Sequence, residues 1–275
     1  MTVHETSEPN LHRLVDQAQS GDAKALEALV RAVQDQVHRL ALRMLADPGL
    51  AEDATQDILI RLITKLSTFK GDASFRTWVY RVATNHLLSR VKKTQAEAML
   101  SFDVFAADLE AGLVDDTHQA PEDHIMLNEL RINCTMAMLL CLDRPHRIAY
   151  VLGDVFEMEQ SEAALILDIS KDLFRKRLSR ARHKVTDFTA QSCGLANAAA
   201  QCSCQKRLPA AMDMQRIGTE PSQLHQDAPS LQTVREQAEQ TERFLRSAKL
   251  QRATGMLAAQ KDFAAELERI VAQKN

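Results

Sequence analysis

A short run of basic residues has the composition of a DNA-reading helix. Between residues 171 and 180 the chain places five cations against a single acid. These cations are Lys171, Arg175, Lys176, Arg177 and Arg180. Lysine and arginine bind backbone phosphates, and both can donate hydrogen bonds to guanine in the major groove. A solvated helix face is the alternative interpretation, but the residues before this run favour a turn.

The elements that must position this run are two helices joined by that turn. Ser161 and Ser170 each stand where an N-cap residue would, ahead of a helical pattern, and Asp168 and Ile169 form the connection. Two short helices joined in this way form a helix-turn-helix, whose second helix enters the major groove of DNA. The spacing therefore predicts a helix-turn-helix.

A second basic stretch has the composition of a surface for unpaired DNA. From residue 76 to 93 there are five Lys and Arg residues and no acid, and aromatic side chains interleave with them. Arg76, Trp78 and Arg81 are the candidates for these contacts. Cations that follow a backbone, together with aromatic rings on which bases stack, are how proteins hold single strands. For Trp78, packing in the core is the alternative interpretation.

Three clustered cysteines could hold a metal ion. Cys193, Cys202 and Cys204 have the spacing C-x8-C-x-C. Three thiolates can bind Zn²⁺ if a fourth ligand joins them, and His183 is the nearest candidate in the sequence. The spacing lacks the paired C-x2-C of many zinc sites, so redox sensing and no role at all stay open. Apart from this possible zinc ion, we predict no cofactor.

The bulk composition favours an all-α fold. The chain has 275 residues, of which 45% are hydrophobic and only 4% aromatic, whereas strands are rich in aromatic and β-branched residues. Residues 1–10 lack a signal-peptide pattern, and the longest apolar run, Met136–Leu142, is too short to cross a bilayer. We expect a cytoplasmic protein with reduced thiols. Enzyme motifs such as His-x3-His and Gly-x-Ser-x-Gly do not occur, so no enzymatic activity is predicted.

Composition divides the chain into five segments. We predict two helical domains joined by an acidic linker, then an irregular cysteine segment and a helical extension with an apolar stripe. The linker has six acidic residues and no Lys or Arg. The predicted bounds are 10–93, 94–121, 122–190, 191–230 and 231–275.

Two parts of the sequence together resemble the sigma factors of the extracytoplasmic-function (ECF) type. Residues 51–58 (AEDATQDI) and 75–85 (FRTWVYRVATN) are similar to sigma region 2. Residues 162–170 (EAALILDIS) and 177–182 (RLSRAR) are similar to sigma region 4. The two regions occur in the family's order. This resemblance implies a transcription initiation factor that binds core RNA polymerase and promoter DNA.

The resemblance also implies roles for residues of the first domain. Asp53, Gln56 and Asp57 would contact the clamp of the largest polymerase subunit. An acidic helix start is their alternative interpretation. Asn85 would help to read a flipped base of the -10 element, and Arg81 would support melting.

In the second domain the resemblance assigns the second helix to the -35 element. Arg175 and Lys176 would face bases, whereas Arg177 and Arg180 would contact phosphate or stabilise the domain. One departure from the family is Asp168, which stands where glycine is usual. A helix-turn-helix regulator that acts without polymerase is the alternative function, since it would explain the second domain alone.

The C-terminal extension is predicted to be a regulatory arm. Its apolar stripe fits a partner surface, either on the sigma domains in self-inhibition or on another protein such as an anti-sigma factor. A chain cut near Ala190 retains every residue assigned to polymerase and promoter. We therefore expect such a chain to fold.

Overall fold

The chain folds into helices that group into two units. The computed structural model describes residues 8–89, 94–114, 123–217, 228–239, 243–254 and 257–272, and these contain no β-strand. The all-α prediction is confirmed. Unit 1 contains residues 1–92, 164–170 and 258–275, and unit 2 contains residues 93–163 and 171–257. Within the described residues, no helix is both long enough and apolar enough to cross a membrane.

Unit 1 is built around a long central helix. Its helices are α1 (Glu8–Gln19), α2 (Ala23–Leu45), α3 (Pro48–Lys65), α4 (Phe75–Ser89) and α14 (Phe263–Ala272). The Asp22 side chain caps α2, and Ala46, in a left-handed conformation, ends it. Asp47 then caps α3, which starts at a proline. These local signals fix the α2–α3 hairpin, whose apolar faces form the core together with α4.

Unit 2 contains the remaining helices. They are α5 (Gln95–Met99), α6 (Phe102–Glu110), α7 (Asp123–Leu140), α8 (Arg144–Tyr150), α9 (Gln160–Ile166, shared with unit 1), α10 (Lys171–Ser192), α11 (Cys204–Asp213), α12 (Leu231–Glu239) and α13 (Arg243–Arg252). A π-helical turn, Val151–Val155, follows α8.

The acidic segment between the domains is more ordered than its composition predicted. Phe105 in α6 is buried and stacks on Phe188 of α10, with ring centroids 5.4 Å apart. Glu97 in α5 accepts hydrogen bonds from Arg144 at 2.7 and 2.8 Å. These partners lie far along the chain, so composition could not reveal them. Residues 115–120, with the last two acids of this segment, lie outside the described part.

The two C-terminal segments also differ from the prediction. The cysteine segment is not irregular throughout, because α11 lies within it. In the described part of the extension, α12 and α13 belong to unit 2 and α14 belongs to unit 1.

The extension contributes to the core of unit 2. This contradicts the expectation that a chain cut near Ala190 folds without it. Leu127 and Leu130 of α7 are buried in one hydrophobic cluster with residues that follow Ala190. These residues are Leu195, Ala196, Leu208, Ala211, Ile217, Leu231, Val234, Leu250 and Ala253. In addition, Gln251 donates a hydrogen bond to the carbonyl oxygen of Thr135 (2.9 Å). These residues are therefore part of the core of unit 2 and not a separate arm.

Candidate nucleic-acid interface

The turn of the predicted helix-turn-helix is present between α9 and α10. Asp168 lies in it with a φ of 52°, in the left-handed region. The amide of Ile169 donates to the carbonyl oxygen of Ala164 (3.1 Å) and closes the end of α9. Asp is among the few residues other than glycine that tolerate this conformation, which explains how it can replace glycine here.

The two predicted helix caps have different outcomes. Ser170 directly precedes the first residue of α10, as expected of an N-cap. Ser161 was predicted wrongly, because α9 already begins at Gln160 and Ser161 lies inside its first turn.

One face of α10 packs into unit 2. Phe174, Leu178 and Ala181 are buried and follow a helical spacing. Phe174 and Leu178 lie close to Gly153 in the π-helical turn, where a Cβ would lie 2.8 Å from Leu178 Cδ2. A side chain at position 153 would therefore require Leu178 to shift.

The opposite face of α10 is cationic. Lys171, Arg175, Lys176 and Arg180 are exposed, and Arg177 is half-buried. None of these five cations forms a salt bridge with a residue that the structure describes. By contrast, the next arginine along the helix, Arg182, donates hydrogen bonds to the carboxylate of Asp154 at 2.6 and 2.9 Å. The five predicted residues therefore share a positive surface that intramolecular ion pairs do not neutralise.

In unit 1, the aromatic residues of α4 form a cluster near the start of the helix. Phe75 is buried, and the half-buried Trp78 stacks on it with ring centroids 5.7 Å apart and an interplanar angle of 24°. Phe69 contacts both rings. Trp78 therefore has a packing role, and its partial exposure leaves ring surface that a base could reach.

The polar candidates of α4 differ in the contacts that their side chains make. Arg76 donates to Gln36 (2.9 Å) and lies 3.7 Å from Glu8. Arg81 donates to the carbonyl oxygen of Leu165 (2.6 Å), in the short segment grouped with unit 1. Asn85 is exposed on the last turn. Arg90, Lys92 and Lys93, the other cations of the basic stretch, lie outside the described residues.

The three candidates for the polymerase contact lie on α3. Asp53 and Asp57 are exposed and Gln56 is half-buried, at the i, i+3 and i+4 spacing of one helix face. A carboxylate oxygen of Asp57 lies 3.7 Å from the ring Nε2 of the buried His86 in α4. The structure thus brings these three side chains together on one accessible face.

Comparison with known proteins finds similarity to sigma factors. Residues 29–97 match the model of Sigma-70 region 2. The chain is 29% identical to the ECF RNA polymerase sigma factor SigW of Bacillus subtilis over 175 residues, which are 62% of this chain and 92% of that protein. It is 28% identical to the ECF RNA polymerase sigma-E factor of Escherichia coli, over 62% of this chain and 90% of that protein. Together these matches support an ECF-type RNA polymerase sigma factor.

The sigma factor therefore acts in transcription initiation with RNA polymerase and promoter DNA, as predicted. A regulator that acts without polymerase is not favoured. Sigma factors as a class are transcription factors and not enzymes. Among solved structures, that of CnrH in complex with the cytosolic domain of CnrY matches with a TM-score of 0.44 and 25% identity, over 62% of this chain and 92% of that chain.

The cysteines of this sigma factor are arranged differently from the prediction. His183, the proposed fourth ligand, is exposed and lies 3.2 Å from Asp187. Instead, Cys134 of α7 lines the same cavity as Cys193, Cys202 and Cys204. The sequence analysis missed Cys134 because it lies 59 residues before Cys193, so no spacing links the two.

Proposed function

We propose that this sigma factor reads the -35 element with α10 and opens the -10 element with α4, acting in the cytoplasm and catalysing no reaction itself. The observation that carries the proposal is the outer face of α10. There, exposed cations that form no ion pair with the described residues follow a turn that contains Asp168. Free cations on a helix that follows such a turn are suited to phosphate contacts and to bidentate contacts with guanine.

Replacing the two proposed base contacts should weaken promoter recognition. We expect Arg175→Ala and Lys176→Ala each to cost about 1–3 kcal/mol of binding to a cognate -35 element. The affinity for core polymerase should not change, because its proposed contacts lie on α3. Electrophoretic shifts and run-off transcription with core polymerase on a promoter library measure both quantities.

Lys184→Ala is the matched control for this experiment, since it removes an exposed cation farther along the same helix. Loss of a phosphate contact alone would weaken binding to all DNA sequences equally. If the Arg175 and Lys176 variants retain full sequence preference, or lose core binding to the same degree, α10 is not the reading helix.

Asn85 is proposed to receive an unpaired base, because it is an exposed amide on a helix that also carries a half-exposed tryptophan. Asn85→Ala should therefore slow open-complex formation more than it weakens duplex binding. A pre-melted template should restore the rate but not the sequence preference. Permanganate footprinting on both templates measures this.

Ser89→Ala is the control for Asn85, because the Ser89 hydroxyl is exposed but donates to the carbonyl oxygen of Asn85 within the helix (2.5 Å). If Asn85→Ala matches the wild type on both templates, the pocket is elsewhere.

The C-terminal segment is proposed to inhibit the sigma factor from within. Phe263 at the start of α14 is fully buried, with its ring centroid 6.4 Å from that of His38 in α2. Arg31 of α2 donates to Asp262 (2.8 Å). His38 also lies 3.4 Å from Thr55 of α3, so α14 packs on α2, which in turn packs on the helix that carries the polymerase candidates. Asp53 and Asp57 themselves stay exposed with α14 in place.

A chain that ends at Leu257 should therefore differ from the full-length protein in activity, and we expect higher transcription. Phe263→Asp should have the same effect, because a buried carboxylate would displace α14. Lys261→Ala is the control within the segment, since Lys261 pairs with Glu266 of the same segment (2.8 Å). Equal transcription by all of these forms in a run-off assay would leave α14 without a regulatory role.

A further inference from the structure

Four cysteines line one cavity of unit 2. Cys134 comes from α7, Cys193 directly follows α10, Cys202 lies in the following loop, and Cys204 is the first residue of α11. The structure therefore brings two segments that are far apart in the sequence to a single set of thiols.

The loop between these cysteines is built to close tightly. The amide of Gly194 donates to the carbonyl oxygen of Cys202 (2.9 Å). A Cβ at position 194 would lie only 2.6 Å from that oxygen, so the approach requires glycine. This bond brings the backbones that follow Cys193 and precede Cys204 together. α11 then packs on α7, which carries Cys134.

The same cavity contains a buried cation without a counter-charge. Arg131 is 1% exposed, and its Nη1 has no hydrogen-bond partner. Its other nitrogens donate to Asn128 Oδ1 (2.6 and 3.0 Å) and to the carbonyl oxygen of Pro229 (3.3 Å). All of these acceptors are neutral, and burial lowers the pKa of Arg131 to about 10.

Arg207, the second buried arginine of the cavity, differs in this respect. It is 2% exposed and donates to the carboxylate of Asp108 (3.1 Å). Asp108 supplies the negative charge that Arg207 needs. A buried cation is costly unless it is paired. Because Arg131 lines the cavity and has no carboxylate partner in the described residues, a negative charge is missing from this site.

We propose that Cys134, Cys193, Cys202 and Cys204 bind one Zn²⁺ ion as four thiolates, with Arg131 balancing the charge. Four thiolates around Zn²⁺ carry a net charge of minus two, and the four displaced protons pass to solvent. Tetrahedral coordination by four cysteines is the usual form of a structural zinc site. The site would tie α7, α10 and α11 together.

The thiols must turn to reach this geometry. As the side chains stand, no group of three or more His, Cys, Asp or Glu residues within the described ranges is arranged to hold a metal ion. The four cysteines line one cavity, so binding the ion would require their side chains to move within it.

Redox sensing, the other open interpretation of these cysteines, fits the cavity less well. Disulfides would be neutral and would leave Arg131 without a counter-charge among the described residues.

The test is the zinc content of the full-length protein, purified under reducing conditions and measured by elemental analysis. We expect one zinc per chain in the wild type and a loss of that zinc in Cys134→Ser. Cys141→Ser is the matched control, because Cys141 lies on the same apolar stretch and is also half-buried but does not line the cavity. It should retain zinc, as should His183→Ala.

Cobalt substitution of the wild type covers the case in which Cys134→Ser fails to fold. Co²⁺ bound by four thiolates gives intense sulfur-to-metal charge-transfer and tetrahedral d–d bands, and we expect both. Wild-type protein that contains no zinc and shows no such bands with Co²⁺ would overturn the proposal. Full zinc in folded Cys134→Ser, or equal loss of zinc in Cys141→Ser, would overturn the ligand set.

Discussion

A chain that ends at Ala190 is expected to lose the cooperative unfolding transition of unit 2. The cut leaves the helix-turn-helix intact, but it exposes Leu127 and Leu130 of α7, which are 1% and 4% exposed in the full chain. Burying a leucine contributes about 1.5–3 kcal/mol, and a whole domain is stable by only about 5–15 kcal/mol. The loss of these two contacts alone therefore removes a large part of the stability.

The measurement is urea unfolding followed by circular dichroism, together with hydrogen exchange of α7. A chain that ends at Leu257 is the control, because it retains residues 195–253 and removes only residues assigned to unit 1. Unit 2 of this control chain should unfold at the same urea midpoint as unit 2 of the full-length protein. If the chain that ends at Ala190 shows the same midpoint, the extension is a separable arm, as the sequence suggested.

Glu97→Ala should be the most destabilising single substitution in the segment between the domains. Its carboxylate accepts from Arg144 at 2.7 Å and lies 3.0 Å from Arg147 Nη1. Arg147 is fully buried. Removing this carboxylate breaks a buried ion pair and leaves the positive charge of Arg147 behind, at a cost of about 3–5 kcal/mol.

Urea midpoints of purified variants measure this effect. Asp187→Ala, which breaks the exposed contact with His183, should change the midpoint little. The double variant Glu97→Ala with Arg147→Met should regain part of the loss, because it removes one uncompensated cation. A Glu97→Ala midpoint equal to that of Asp187→Ala would show that α5 is not tied to α8.

The same ion pair predicts a pH dependence. Burial alone would raise the pKa of Glu97, but the hydrogen bond and charge of the arginines outweigh it, and the pKa lies below its usual value. A carboxyl whose folded-state pKa is depressed stabilises the protein above its unfolded-state pKa, and this contribution is lost as the pH falls through the folded-state value. The difference in stability between the wild type and Glu97→Gln should therefore narrow on acidification.

Much of the DNA-binding surface could be predicted from the sequence, because helix periodicity fixes which side chains share a face. The spacing of Phe174, Leu178 and Ala181 already separates an apolar side of α10 from the side with Arg175 and Lys176. The turn at Asp168 follows from local chemistry too, since few residues tolerate its left-handed backbone.

The contacts of individual side chains with distant residues could not be predicted in this way. Arg182 lies in the same basic run as Arg180 but is held by Asp154, 28 residues earlier. Trp78 belongs to an aromatic cluster with Phe69 and Phe75 while part of it stays exposed. These outcomes depend on which distant element packs against the helix, and periodicity carries no information about that.

The sequence by itself determined the family, the all-α fold and the order of the two sigma regions, because these depend on local pattern: helix periodicity, caps, turns and the density of charge. Only the tertiary structure decided that the acidic segment packs through Glu97, that residues 195–253 share a core with α7, and that Cys134 joins the C-terminal cysteines. The physical reason is that burial and ion pairing between distant segments depend on the three-dimensional path of the chain. Cys134 and Cys193 line the same cavity but are 59 positions apart, and no periodicity in the sequence reveals such a pairing of distant residues.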